Sequence, residues 1–379
     1  MRRLHRWLGL VLMAPFVVLA TTGTILVFED ELDPLLNPEL AVGEIPPSEW
    51  VSEHRIRQNA TEALGQGVAP LRLLAPGVQA ETFVVDFFYP RDDGSMQFSR
   101  ASVHPATGEV LAVRDWGSYF TSFVYRIHLS FFAGAPGEDV VGYVGLGVTL
   151  MLIAGLYLWW PRKRWAPAFV PGRPKNAAAL SFRWHRVLGF YAFLVLLPIT
   201  LTGVGLSFHT PVEKAIQATL PTGHGEDPKA DGQLDTPLTV DDIHARARQA
   251  YPEAETQYSY FADAEQPYWQ ILMRTPERVH TSMPDLELWL HPETGEIIQR
   301  YDARKDARAG DHVQHLLFPI HNGQALGMTG RLIVLVSGLL PLFFAITGFI
   351  IWRYRRERRV RKNDPRPAMV DAGGEVVAQ

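Results

Sequence analysis

Leu4-His5-Arg6-Trp7-Leu8-Gly9 returns later in the chain as Trp184-His185-Arg186-Val187-Leu188-Gly189. Each copy opens a long apolar run that reaches a Thr–Gly pair, Thr22-Gly23 in the first and Thr202-Gly203 in the second. Tyr125-Arg126-Ile127-His128 returns as Phe318-Pro319-Ile320-His321, and the same register lays Ile153-Ala154-Gly155-Leu156 on Ile346-Thr347-Gly348-Phe349. Between them, His104-Pro105-Ala106-Thr107-Gly108-Glu109 matches His291-Pro292-Glu293-Thr294-Gly295-Glu296. A sequence that repeats itself in this way is built from two related units. Here the repeat also sets histidine against histidine.

The 379 residues hold 36 Lys and Arg against 40 Asp and Glu, and so mild a balance gives no reason to expect a nucleic-acid partner. Four runs reach the ~20 apolar residues that cross a hydrocarbon core: Trp7 to Phe28, Val140 to Trp160, Val187 to Phe208 and Leu332 to Trp352. The chain divides accordingly into span one with its lead (1–28), a first outer domain (29–139), span two (140–160), a short connection (161–186), span three (187–208), a second outer domain (209–331), span four (332–352) and a tail (353–379).

Basic residues set the orientation. Arg2, Arg3 and Arg6 precede span one; Arg162, Lys163, Arg164, Arg173, Lys175, Arg183 and Arg186 fill the short connection; Arg353, Arg355, Arg356, Arg358 and Arg359 follow span four. Both termini and the short connection are therefore expected in the cytoplasm, with the two large loops outside. The competing reading of span one is a cleaved secretory signal. Its apolar run is longer than the usual ~7–15 residues, no Ala-x-Ala-like site closes it, and span three repeats it in mid-chain.

The absence of cysteine excludes disulfides, thiolate metal sites, iron–sulfur clusters and haem attached through thioethers. Each outer loop reads as a small α+β domain, with a helical stretch (Ser48 to Leu64; Val240 to Ala250) followed by strands such as Thr82 to Tyr89 and Tyr268 to Met273. The His-Pro-x-Thr-Gly-Glu segments read as tight hairpin turns, so His104 and His291 are assigned a structural role. His54, His224, His244 and His280 have no counterparts in the other half and read as surface residues.

His5 and His185 stand at the inner ends of their spans, His128 and His321 just before the second span of each half on the outer side. If the halves are related by an axis normal to the membrane, these residues meet as two pairs, one per leaflet. A b-type haem with two axial imidazoles needs such a pair from facing helices. Gly9 and Gly189 lie four residues after their histidines, on the same helix face, where a flat macrocycle can approach. Gly23 and Gly203 fall on that face five turns further along. Small residues also line ordinary helix contacts in membranes. Arg6 and Arg186 are placed to meet propionates at the inner pair, and Arg126 and Arg331 at the outer one. His209, which ends span three, is a second choice for the outer ligand in place of His128, as are His312 and His315.

These residues, with Gly155-Leu156-Tyr157-Leu158-Trp159-Trp160-Pro161-Arg162, resemble the PepSY-associated transmembrane helix family of bacterial inner-membrane proteins, which includes ferric-siderophore reductases. The resemblance runs to about Arg359. It implies an α-helical membrane protein of four spans in two tandem repeats, each with a periplasmic α+β PepSY-like domain between its spans. It also implies two haem b groups per chain, on His5 with His185 and on His128 with His321. Electrons from a cytoplasmic reductase or a quinol would reach a ferric siderophore or other periplasmic ferric chelate, docked between the outer domains near Tyr119, Phe120 and Phe123. One departure stands out: Leu129-Ser130-Phe131-Phe132 follows His128, where Asn322-Gly323 follows His321. No Gly-x-Gly-x-x-Gly follows a strand, so the chain carries no nicotinamide or flavin fingerprint of its own. The rival reading is a membrane-anchored peptide- or protein-binding module without redox activity. A transporter subunit fits less well, because the spans lack matched midplane breaks.

Overall fold

In a computed structural model, residues 1–65, 67–91, 94–161, 165, 168–172, 176–225, 227–228, 237–263, 265–279 and 283–363 are described. Arg162, Lys163, Arg164, Arg173, Lys175 and His280 lie outside them, as does the tail beyond 363 and the Arg359 side chain. In chain order the elements are α1 (Arg2–Leu26), α2 (Glu29–Leu36), α3 (Glu53–Leu64), β1 (Pro70–Leu74), β2 (Phe83–Pro90), β3 (Met96–Val103), β4 (Val110–Asp115), α4 (Phe120–Ser130), α5 (Gly134–Trp159), α6 (Ala177–Ser207) and α7 (His209–Thr219). There follow α8 (Val240–Ala250), β5 (Glu255–Tyr260), β6 (Trp269–Arg274), β7 (Leu286–Leu290), β8 (Ile297–Asp302), α9 (Ala303–Asp306), α10 (Ala309–Asn322), α11 (Gly327–Ser337) and α12 (Leu340–Asn363).

Four helical stretches are long and apolar enough to cross a membrane: α1, α5, α6 and the segment Gln324–Arg358 that contains α11 and most of α12. The helices outrun the apolar stretches read from sequence. α6 starts ten residues before Val187, because Asn176 caps it (Oδ1 accepts from Ala179 N at 2.8 Å) and three alanines follow. Span four breaks between Ser337 and Leu340, since Pro341 offers no N–H to the carbonyl four residues back. α1 packs on α5 and α12, and α6 packs on the same two helices, so α1 and α6 stand diagonally across a four-helix ring. α4 leans on α1 and α5, while α10 leans on α6.

The segments that follow α1 and α6 share one antiparallel sheet of eight strands, in the order β4-β3-β2-β1-β5-β6-β7-β8. At the central seam Arg72 pairs with Tyr260, Leu73 with Ser259 and Leu74 with Tyr258. The seam is hydrogen-bonded over these residues, so the two segments form one continuous sheet. Strand alternation puts Leu73, Val85, Phe87, Ala101, Ile271 and Leu288 on one face, buried beneath α3 and α8. The opposite face carries Asp86, fully buried between Arg72 (Nε to Oδ2, 2.8 Å) and Arg100 (Nε to Oδ1, 2.9 Å).

The two halves also grip each other through their helices. Asp241 of α8 accepts from Glu53 N (2.9 Å) and His54 N (3.1 Å), capping α3 from the other half. The expectation that His244 is a surface residue is corrected here: it is 1% exposed. It continues the stripe of Val240, Ile243 and Ala247 at helical spacing, which is the buried face of α8. His244 pairs with Glu53 through Nδ1 and with Ser259 Oγ through Nε2 at 2.6 Å. This Ser–His–Glu chain has the order of a hydrolase triad, but Ser259 is itself 1% exposed under two helices, so no substrate reaches it. His54 and His224 are half-buried. His104 and His291 serve their turns: each Nδ1 accepts from the backbone N–H two residues on, at 3.2 Å, and Gly108 and Gly295 take φ of +74° and +69°.

Candidate functional site

His5 on α1 and His185 on α6 face each other across the diagonal of the bundle, with ring centroids 6.2 Å apart. His128 on α4 and His321 on α10 form a second pair on the sheet side, at 6.0 Å. Imidazole nitrogen binds a first-row metal at about 2.0–2.1 Å, and the ring centroid lies about 1.1 Å further, so two trans imidazoles on one metal have centroids about 6.3 Å apart. Both pairs have that spacing. His128 lies against α1 at Leu19, 14 residues beyond His5, which sets the two levels about 21 Å apart along the helix.

The tautomer of each ring follows from its partner. His128 Nδ1 lies 3.0 Å from the Leu19 carbonyl and His321 Nδ1 2.9 Å from the Ile199 carbonyl. His5 Nδ1 lies 3.0 Å from the Met151 carbonyl. A carbonyl only accepts, so each of these Nδ1 atoms carries the proton. His185 Nδ1 meets Thr347 Oγ1 at 2.8 Å, and that hydroxyl spends its own proton on the Phe343 carbonyl at 2.9 Å. The hydroxyl therefore accepts from His185. In all four rings Nε2 keeps its lone pair, the form in which imidazole binds a metal. Thr22 and Thr202 stand beside the sheet-side pair, 3.0 Å from His128 Nδ1 and 3.5 Å from His321 Nδ1.

Glycines make room for these rings. A Cβ on Gly23 would meet His128 Cε1 at 2.9 Å, and one on Gly203 would meet His321 Cε1 at 2.8 Å. On the far side, Gly155 stands 3.2 Å from His5 Cε1 by the same construction, and Gly348 stands 3.7 Å from His185 Cε1. Thus Gly23 and Gly203 clear the imidazoles themselves. Gly9 and Gly189 border looser space: Met151 Sδ is 3.6 Å from a Cβ on Gly9, and nothing lies within 4 Å of one on Gly189.

The arginines divide. Arg6 Nε is buried without a hydrogen-bond partner, the kind of atom a carboxylate from a bound group would satisfy. Arg186 makes one long bond, Nη2 to the Trp159 carbonyl at 3.3 Å. Arg331 is engaged by the Val27 carbonyl (2.7 Å) and Glu31 (2.6 Å), and Arg126 lies over the Phe132 ring at 4.9 Å. His209 begins α7 with its side chain 68% exposed, 3.8 Å from Glu213, and is not part of either pair. His312 and His315 lie on α10, nine and six residues before His321. His315 shares its surroundings with Glu287, Asp311 and His224. Among Tyr119, Phe120 and Phe123, the two phenylalanines are about half exposed and Tyr119 stacks on Arg114 at 4.1 Å.

Gly155, Gly348, Thr22, Thr202 and Thr347 were not singled out from sequence as groups that hold the histidines. The signal was present, since Gly155 and Gly348 occupy matching positions in the repeated segments, as do Thr22 and Thr202. Among the described residues no cluster of three or more His, Cys, Asp or Glu is arranged to hold a metal ion. The histidines come in twos. That donor set suits a metal whose other positions are filled by a macrocycle rather than a bare ion.

Comparison with curated proteins finds no match. The family described as PepSY-associated TM region matches residues 2–355, which takes in all four spans, the shared sheet and both histidine pairs. The chain belongs to the PepSY-associated TM region family.

Proposed function

We propose that the chain is a di-haem b electron conduit of the bacterial inner membrane, built as two tandem repeats. It would deliver electrons from a cytoplasmic reductase or a quinol to ferric iron in a siderophore or another periplasmic chelate. The observation that carries this reading is the presence of two facing histidine pairs, each ring anchored through Nδ1 and left with Nε2 free. Haem b held by two imidazoles supplies one-electron chemistry, cycling between ferric and ferrous iron.

The rest is work for the chain. The carbonyls of Leu19, Ile199 and Met151 and the hydroxyl of Thr347 fix the tautomer and raise ligand basicity. Gly9 and Gly189 leave the far pair open to a flat group, with Arg6 and Arg186 as its carboxylate partners. Two levels about 21 Å apart suit a hydrocarbon core about 30 Å thick, which one site does not bridge. Arg2, Arg3, Arg183, Arg353, Arg355, Arg356 and Arg358 at the far end favour a cytoplasmic location for that end, and hence a periplasmic sheet. Reduction of the cargo from ferric to ferrous iron weakens its hold on hard oxygen ligands, so iron leaves an intact carrier.

The test is a reduced-minus-oxidised spectrum of the detergent-purified protein with a pyridine haemochrome count. Two b-type haems per chain, falling to about one in His185→Ala, are expected. A colourless protein from haem-replete cells would overturn the conduit and leave the sheet as a peptide- or protein-binding module.

A further inference from the structure

Leu19, Thr22 and Gly23 fall on one face of α1 at helical spacing, and Ile199, Thr202 and Gly203 repeat that arrangement on α6. Each trio is a socket for one imidazole. Gly23 lets the His128 ring come close, with Cε1 2.9 Å from a constructed Cβ. The ring then directs Nδ1–H at two acceptors, the Leu19 carbonyl and the Thr22 hydroxyl, both at 3.0 Å. That hydroxyl accepts because its own proton goes to the Val18 carbonyl at 2.8 Å. On α6 the second contact is looser: His321 Nδ1 lies 2.9 Å from the Ile199 carbonyl but 3.5 Å from Thr202 Oγ1. A buried threonine in a helix commonly bonds back to the carbonyl four residues before it, as Thr200 does to Leu196 at 2.9 Å, with Thr149 as its other partner. The bond from His128 Nδ1 is what sets Thr22 apart. The far pair is held differently. Among the described residues, His5 Nδ1 meets the Met151 carbonyl alone and His185 Nδ1 the Thr347 hydroxyl alone. One acceptor fixes the direction of an N–H but lets the ring swing about it, whereas two acceptors on one helix face fix the plane as well. The ring planes of His128 and His321 stand 57° apart, and those of His5 and His185 stand 89° apart.

We propose that Thr22, with Thr202 as its weaker counterpart, is a positioning residue that fixes the ring plane and the donor strength of the sheet-side histidines, and so makes the two centres electronically unequal. This rests on the haem reading of the pairs. An axial imidazole pushes π density into the iron d orbital perpendicular to its plane. Rings crossed at a right angle load the two available orbitals equally, and rings nearer to parallel load one more than the other. In low-spin ferric iron the equal case gives the largest g value, at the lowest field. The far centre, with planes at 89°, is therefore the more anisotropic and the sheet-side centre the less. A second acceptor on Nδ1–H also makes Nε2 a stronger donor, which favours ferric over ferrous iron and lowers the potential.

The experiment is low-temperature electron paramagnetic resonance of the oxidised full-length holoprotein, with a spectroelectrochemical titration of the same samples. The component lost in His321→Ala identifies the sheet-side centre, and the one lost in His185→Ala the far centre. In the wild type the far signal is expected at the lower field. Thr22→Val keeps the shape of the side chain and removes the acceptor. It should shift and broaden the sheet-side signal, and raise the ferrous-to-ferric ratio of that centre at a fixed applied potential by up to about tenfold, equivalent to about 59 mV. The far signal and the haem count stay as they were. Thr22→Ser should restore both sheet-side readings, and Thr202→Val should have the smaller effect. A sheet-side signal and potential unmoved in Thr22→Val, a larger effect at Thr202, or a loss of haem that Thr22→Ser does not restore overturns the role of Thr22 while leaving the haem assignment intact. Two wild-type signals of equal anisotropy overturn the ring-plane argument without any variant. Absence of a second b-type component from the starting spectrum overturns the haem assignment itself, and this inference with it.

Discussion

Under the proposed haem assignment each histidine is only as good a ligand as the group behind it, and the four rings differ there in ways that can be measured. Gly23 and Gly203 press on His128 and His321 at 2.9 and 2.8 Å from a constructed Cβ, while Gly348 leaves 3.7 Å to His185. Adding the methyl group at either of the first two positions displaces a ring from its carbonyl. We expect Gly23→Ala and Gly203→Ala to lower the haemochrome count from two per chain toward one, and Gly348→Ala to leave it unchanged. Equal damage at all three would refute this steric ranking. Thr347 is a separate case, because half one has Ala154 at its position and anchors His5 on a backbone carbonyl instead. Thr347→Val removes an acceptor that His185 replaces only by rotating, and loss of such a partner typically lowers metal-site affinity about 10–100-fold. A haem-transfer assay to an apo-acceptor, comparing the far pair in wild type and variant, measures it. The pairing itself was legible, since it needs only a repeated sequence. The anchors were not: a backbone carbonyl has no letter in the sequence, and a glycine shows what it clears only once its neighbour is placed. His244 was misread because a lone histidine with no counterpart looks expendable, although its spacing to Val240 and Ala247 already put it on the buried stripe of α8.

Helix ends and crossings hold the next level together. Asp311, 1% exposed near the start of α10, accepts from Arg308 N (2.7 Å), Gly223 N (2.7 Å) and His224 N (3.3 Å), tying the segment after α7 to the helix that presents His321. Burial works to raise its carboxyl, but those backbone donors outweigh it, and the net shift is downward. The sign follows: with a folded value below the ordinary one, its stabilisation is present above about pH 4 and is lost as pH falls through the lower folded value. Asp311→Ala strands backbone donors in a buried site, and we expect a loss of about 2–4 kcal/mol in detergent unfolding; a change under about 0.5 kcal/mol would rule the tie unimportant. At the crossing of α1 with the break in span four, a Cβ on Gly338 would stand 1.7 Å from Thr24 Oγ1 and 3.2 Å from the Ala20 carbonyl. Gly338→Ala should therefore reduce the yield of folded protein. Thr24→Ala in the same chain should restore part of it by removing the hydroxyl, and fluorescence-detected gel filtration reports both. Apolar length and capping residues made these helices legible. The break in span four was not, because Pro341 has no partner in span two to draw attention to it.

On the scale of the whole molecule, the sheet is where the two halves become one object. Two of its strands, Thr82 to Tyr89 and Tyr268 to Met273, and the two repeated turns were visible in the sequence, but the β1–β5 seam was not. It joins short strands some 185 residues apart, and edge pairing of that kind leaves no local pattern. The seam is reinforced by the Asp241 cap on α3 and by the Glu53–His244 pair, each reaching from one half into the other. Both histidine pairs also take one ring from each half, so sheet and bundle close together. The consequence is testable by cutting the chain in the connection 161–176, between α5 and α6. A half expressed alone exposes β1 or β5 as an unpaired edge above spans that lack their diagonal partner, and it should aggregate or be degraded. Co-expressed halves recover the seam, the cap and both pairs without a covalent link. They should copurify through a tag on either one, with the haem count of the intact chain. Because each pair needs one ring from each half, a purified single half should bind no bis-imidazole haem even if it survives. A lone half that is monodisperse and red would show that the halves fold and bind independently, and that the seam merely joins two finished domains.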